Sequence, residues 1–139
     1  MPARVESRGR SRALQALYAW DLREGQELAK VAATIWDDLA VVPEEREFAS
    51  LLVNLIIARG KELDVELAEV TTNWRIERLG AIERCVLRLG AAEFEQGKTP
   101  PRVVIQESVR LAERYGSATS ARFVNGVLDA LARRLGLLR

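Results

Sequence analysis

The sequence predicts an all-α protein of about six or seven helices. Apolar residues recur at the spacing of an amphipathic helix through most of the 139 residues. No stretch shows the sustained alternation of apolar and polar side chains that is typical of a half-buried strand. With 48% hydrophobic residues, the chain is long enough for one compact domain with a core and too short for two domains of ordinary size.

Three helices are predicted in the first half of the chain. The first carries an apolar stripe that begins at Leu14 and ends before Gly25, and the second carries a shorter stripe that ends before Pro43. A long helix then covers residues 44–70, in which Gly60 is a local weakness worth about 1 kcal/mol relative to alanine. A short helical turn is expected after Trp74.

The second half contains the helix with the broadest apolar face, over residues 81–95, and we expect this helix to be central. Gly97 and the prolines that follow it end the helix, because proline lacks a donor and disfavours helix in the residue before it. The next helix starts after Pro101 and ends at Gly116, which is predicted to be a left-handed terminating residue.

The last helix is predicted to run to about Leu135. Ser117 and Thr119 are candidate N-caps for it, since a hydroxyl oxygen can accept a hydrogen bond from a free backbone amide of the first turn.

Charge is unevenly distributed, although the net charge is only +1. Residues 1–12 carry a net charge of +3, residues 21–47 carry −5, and the chain from Arg102 onward carries +4. Both ends are therefore basic, which is the pattern that an anionic partner would recognise.

The sequence lacks histidine and the motifs by which most catalytic and metal sites are recognised. There is no histidine, the commonest general base and metal ligand, and the single Cys85 lies in an apolar stretch typical of a buried thiol. No glycine-rich phosphate loop or nucleophile motif occurs. We therefore expect no catalytic residues, no metal site, no cofactor and no disulfide. The chain also lacks a membrane-length apolar run and a signal peptide, so we expect a cytoplasmic protein.

Two features remain as candidate binding sites. The first is the arginine-rich start, where four arginines at the entrance of a helix oppose its dipole and would be stabilised by an external anion such as RNA phosphate. The alternative is a loose, solvated basic tail. The second is Phe123, which lies beside the apolar stripe with Arg122 next to it, as in sites that stack single-stranded bases. The alternative is that Phe123 is core and that Gly126 marks a close helix contact.

Residues 120–129, SARFVNGVLD, closely resemble the signature of the NusB family, and residues 101–107 and 111–116 resemble its flanking segment. Residues 10–20 resemble the first helix of the family and residues 82–89 its central helix. The resemblance covers almost the whole chain, and it is weakest over residues 24–47.

The resemblance implies two packed helical subdomains in a single NusB-like domain, covering about residues 8–72 and 73–137. It further implies that the protein binds the boxA element, a short single-stranded RNA, together with a small-subunit ribosomal protein that acts as NusE. The complex would join the RNA polymerase elongation complex with other Nus factors, so that the role is scaffolding for antitermination and not catalysis.

Family site residues transfer to this chain by position. The resemblance implies that five arginines and one aromatic residue contact the RNA. They are Arg4, Arg8, Arg10, Arg12, Arg122 and Phe123. Glu6 and Ser7 depart from the arginine-rich family pattern, which would either weaken phosphate binding or redistribute it toward Arg4 and Arg12. The ribosomal-protein face implied consists of Glu83, Leu87, Glu107 and Arg110.

Three other functions compete with this one. The same helical domain resembles a module of ribosomal RNA cytosine methyltransferases, but no methyltransferase motif follows Arg139, so we expect a stand-alone protein. A helical interaction module or a homodimer without RNA binding would leave the arginines solvated and Phe123 buried. An enzyme is disfavoured by the missing histidine and phosphate loop.

Overall fold

The computed structural model describes the backbone of residues 2–71 and 79–139, with side chains from residue 5 onward in those ranges. The described residues form six α-helices and no strand, in agreement with the predicted fold class. They are α1 (Pro2–Asp21), α2 (Leu28–Asp38), α3 (Pro43–Val70), α4 (Ala81–Gln96), α5 (Pro101–Tyr115) and α6 (Ala118–Arg134). The helical turn predicted after Trp74 lies outside the described residues.

The helices group into two compact units, Met1–Ala58 and Arg59–Arg139, and the division falls within α3. The first unit holds α1, α2 and the start of α3; the second holds the end of α3 with α4, α5 and α6. The predicted subdomains of residues 8–72 and 73–137 stay a prediction.

The core of the first unit is formed by apolar stripes of its helices. Leu14 and Leu17 of α1 and Leu52 of α3 are almost fully buried, and Trp36 of α2 is buried beside them. The indole nitrogen of Trp36 donates a hydrogen bond of 3.0 Å to the backbone oxygen of Arg12, so the buried ring keeps a polar partner. This bond ties α2 to α1.

In the second unit α4 is the central helix, as its broad apolar face predicts. It buries nine of its residues and packs against both α5 and α6. The free thiol of Cys85 is buried, as predicted. Gly90 lets α6 approach closely, because a Cβ there would lie 2.7 Å from a methyl carbon of Leu128.

The helix ends in this unit follow the predicted residues, with one correction. Gly97 adopts a left-handed conformation with φ of 72° directly after α4. Gly116 follows α5 but has φ of −119°, so it is not the left-handed terminator that the sequence predicted. Ser117 caps α6 by accepting a hydrogen bond of 3.1 Å from the backbone amide of Ser120. None of the described helices is both long enough and apolar enough to cross a membrane.

Candidate nucleic-acid interface

Three of the four arginines of α1 lie beyond the first turn of the helix, whereas Arg4 lies within it. The helix begins at Pro2, so Arg8, Arg10 and Arg12 all lie after its first turn. Since the helix dipole acts within about the first turn, the predicted conflict between these arginines and the dipole does not arise. The side chain of Arg4 lies outside the described residues.

Two of these arginines share one carboxylate of α3. The Nε of Arg12 donates a hydrogen bond of 3.3 Å to Oε1 of Glu45, and Nη1 of Arg8 lies 3.8 Å from Oε2. The Arg8 side chain remains 61% exposed and that of Arg12 29% exposed, whereas Glu45 is buried. We call Arg8 and Arg12 the α1 arginine pair.

Arg10 occupies a different environment. It is only 3% exposed, and its guanidinium carbon lies 5.2 Å from the ring centre of Phe48 on α3. The neighbouring Gly9 faces the same ring, since a Cβ there would lie 2.6 Å from a ring carbon of Phe48. Arg10 is therefore part of the packing between α1 and α3, which corrects the expectation that it lies at the surface ready for RNA.

The first two turns of α6 present an aromatic side chain at the surface. Phe123 is half-buried, and the adjacent Arg122 is exposed, with Nη2 at 3.4 Å from the hydroxyl of Thr119. Gly126 is exposed, and a Cβ there would meet no atom of the described residues within 4 Å. The alternative in which Gly126 marks a close contact with a neighbouring described helix is therefore wrong, and the space at Gly126 is open.

Comparison with known proteins decides the family. The NusB family model matches residues 7–133. The transcription antitermination protein NusB of Sorangium cellulosum is 42% identical over 133 residues, which cover 95% of this chain and 94% of that protein. The NusB of Koribacter versatilis is 39% identical over 139 residues, with 97% and 94% covered.

The chain belongs to the NusB family.

Solved structures agree with this assignment. The NusB structure from T. maritima has a TM-score of 0.86 and 29% identity, and covers 92% of this chain and 90% of that one. The structure of antitermination factors NusB and NusE in complex with double-stranded RNA has a TM-score of 0.84 and 32% identity, covering 94% and 98%.

The residues that the NusB resemblance assigned to a protein partner do not all reach the surface. Leu87 is fully buried in the core of the second unit, which corrects its assignment to a partner-binding face. Glu83 accepts a hydrogen bond of 2.7 Å from the hydroxyl of Ser120 and so contacts the start of α6. Glu107 and Arg110 form an ion pair of 3.5 Å on α5, in which Arg110 is exposed.

A shallow groove of about 460 Å³ lies between α5 and α6 in this second unit. It is lined by a mixture of polar and apolar side chains: Arg102, Ile105, Gln106, Val109, Asn125 and Asp129. A hydrogen bond from Arg133 lowers the pKa of Asp129, and the charge of Arg102 lowers it further. Within the described ranges, no three acidic, cysteine or histidine side chains are grouped so as to hold a metal ion.

Sequence reasoning missed Glu45. The signal was present, because Glu45 lies three residues before Phe48 and seven before Leu52, on the side of α3 that faces inward. A carboxylate at an apolar-stripe position is rarely buried without a partner. In the structure, the partners of Glu45 are the two residues of the α1 arginine pair.

Proposed function

We propose that this NusB family member is a transcription antitermination factor that binds boxA-type single-stranded RNA together with the small-subunit ribosomal protein that acts as NusE. Its curated relatives carry the name transcription antitermination protein, and one structural relative was solved in complex with NusE and RNA. The match to that relative covers 94% of this chain.

The observation that carries the RNA proposal is the surface around Phe123. A half-buried aromatic ring with an exposed arginine beside it offers a base both a stacking face and a cation. The open space at Gly126 leaves room for a flat base beside the ring. Such stacking requires an unstacked base, which favours a single strand over a duplex.

The α1 arginine pair is the proposed phosphate contact in the first unit. The guanidinium group of Arg8 is largely exposed and can form two parallel hydrogen bonds to a phosphate. Arg12 is more covered and would contribute mainly charge. Arg10, buried against Phe48, would support the position of α1.

The proposed NusE contact uses the polar surface residues of α4 and α5. Glu83 and Glu107 are partly exposed acids that would complement a basic ribosomal protein, and the exposed Arg110 lies beside Glu107. Leu87 is excluded from this surface by its burial.

The proposed mechanism is tethering without catalysis. By holding boxA RNA and NusE at once, the protein makes their later contacts with RNA polymerase and other Nus factors intramolecular, which raises the effective concentration to about the millimolar range for a short tether. The binding energies are thereby linked, and no chemical barrier is lowered. The protein would act in the cytoplasm, where the transcribing polymerase is found.

Fluorescence anisotropy tests this proposal. A labelled boxA-like single strand, a scrambled strand of the same composition and a duplex of the same sequence are titrated with the protein, each with and without NusE. We expect the boxA strand to bind most tightly and NusE to strengthen its binding. Equal and weak binding to all three RNAs would instead leave a helical interaction module with a basic surface.

A further inference from the structure

Glu45 is the buried residue through which α3 contacts the α1 arginine pair. It uses one carboxylate oxygen for each arginine, Oε1 for Arg12 at 3.3 Å and Oε2 for Arg8 at 3.8 Å. We propose that Glu45 is a positioning residue, which orients the arginine pair for RNA phosphate without touching the RNA. This inference rests on the proposed RNA-binding function.

The arginine pair needs such a residue for a physical reason. Arg8 and Arg12 lie four residues apart on one helix face, where two like charges repel each other. Each side chain also has many rotamers, and a phosphate contact would have to order them at an entropic cost. A carboxylate between the two guanidinium groups offsets the repulsion and orders both side chains before RNA arrives.

The neighbouring turn of α3 supports this arrangement. Phe48 follows Glu45 by three residues on the same face of α3. It packs against Gly9, where there is no room for a Cβ, and under the guanidinium group of Arg10. Together the contacts of Glu45 and Phe48 fix which side of α1 packs against α3. Arg8 lies at the edge of that side, and its guanidinium group therefore stays exposed.

Glu45 has two opposite effects on RNA binding. Its negative charge cancels part of the positive charge that attracts any RNA, which weakens binding irrespective of sequence. Its hydrogen bond with Arg12 and its ion pair with Arg8 order the two arginine side chains. This strengthens the binding of an RNA whose phosphates occupy one fixed position on the protein. The first effect depends on charge alone, whereas the second depends on the contacts of Glu45.

The variant Glu45→Gln and its matched control Glu44→Gln separate these effects. Both substitutions remove one negative charge from the first turn of α3, but Glu44 is exposed, and its neighbour Glu45 is buried against the arginines. The measured quantity is the ratio of affinities for boxA-like and scrambled RNA. We expect Glu45→Gln to lower this ratio by about 3- to 10-fold, the cost of ordering one or two side chains. Glu44→Gln should leave the ratio unchanged.

A second background tests whether Glu45 acts through the arginines. In a chain with Arg8→Gln and Arg12→Gln, the substitution Glu45→Gln should no longer change the ratio, because there is nothing left to position. An unchanged ratio in the single variant would overturn the proposal, and so would a loss that persists in the double-arginine background, which would indicate a merely structural role. The ratio for the unsubstituted protein reports separately on the proposed function.

Discussion

Arg88 of α4 binds Asp64 of α3 through two parallel hydrogen bonds, with Nε 2.9 Å from Oδ1 and Nη2 2.9 Å from Oδ2. The side chains are 14% and 29% exposed, so the pair is largely removed from water. Bidentate arginine–carboxylate pairs of this kind are stronger and more directional than ion pairs with a single hydrogen bond. The contact joins the last turns of α3 to the central helix of the second unit.

We expect Asp64→Asn to lower the free energy of unfolding by about 1 to 3 kcal/mol, because it removes one charge-assisted hydrogen bond from a largely buried guanidinium group. Urea unfolding followed by circular dichroism measures this change. Glu95→Gln is the control. Glu95 also forms an ion pair of 2.9 Å with an arginine, Arg59, but the side chain of Arg59 is 46% exposed. An equal loss in both variants would show that burial does not set the effect.

Two helix glycines should respond oppositely to alanine. At Gly90 a Cβ would lie 2.7 and 2.9 Å from the methyl carbons of Leu128 and 3.3 Å from the hydroxyl of Ser108. Gly90→Ala should therefore destabilise the fold by about 1 to 3 kcal/mol through overpacking. At Gly126 there is open space, so Gly126→Ala should stabilise α6 by about 0.5 to 1 kcal/mol. Thermal unfolding of both variants measures the difference, and a stabilised Gly90→Ala would contradict the close approach of α6.

The helices and their order could be predicted from the sequence, because the spacing of apolar residues marks each helix and glycine or proline marks where it ends. Both signals lie within the segment that they describe. The roles of individual residues could not, since they depend on which neighbour a helix faces. Gly90 and Gly126 look alike in sequence, yet Gly90 makes the close contact and Gly126 is open. Arg10 looks like its neighbours in a basic run, but the ring of Phe48, distant in sequence, covers it.

Asp129 gives a pH-dependent test of the surface of α6. Its side chain accepts a hydrogen bond of 2.9 Å from Nε of Arg133, which lowers its pKa, and the charge of Arg102 adds a smaller lowering. A carboxyl group with a lowered pKa in the folded state stabilises the protein above its unfolded pKa and loses that contribution as pH falls through the folded pKa. The contribution should therefore be complete above about pH 4 and be lost progressively as the pH falls below that value.

The carboxyl carbon of Asp129 can be followed by NMR during an acid titration. We expect a pKa below the usual value for aspartate in the unsubstituted protein and a higher pKa in Arg133→Gln. Arg102→Gln should raise the pKa less, because Arg102 acts through charge alone. The same pKa in all three proteins would show that the ion pair does not persist in solution.

Arg8 and Arg10 should have separable effects on RNA binding. Arg8→Gln removes an exposed charge and should reduce the slope of log affinity against log salt by about 0.7, the value for one phosphate contact to a single strand. Arg10→Gln removes a buried stacking contact with Phe48 and should mainly lower the unfolding temperature, with a smaller change in slope. Anisotropy titrations at several salt concentrations, together with thermal unfolding, measure both effects. If Arg10→Gln reduced the slope more than Arg8→Gln does, the phosphate contact would belong to Arg10 and not to Arg8.

Phe123 offers the most direct test of base stacking. Phe123→Ala should weaken binding of boxA-like RNA by about 1 to 3 kcal/mol, the usual cost of losing one stacked base. Because the ring is only half-buried, the fold should survive, and circular dichroism checks this. Phe123→Leu is the matched control, since leucine keeps an apolar side chain without a ring face, and Phe123→Tyr keeps the ring. If a base stacks on Phe123, the leucine variant binds as weakly as the alanine variant and the tyrosine variant binds normally. Normal binding by the leucine variant would mean that Phe123 contributes packing alone.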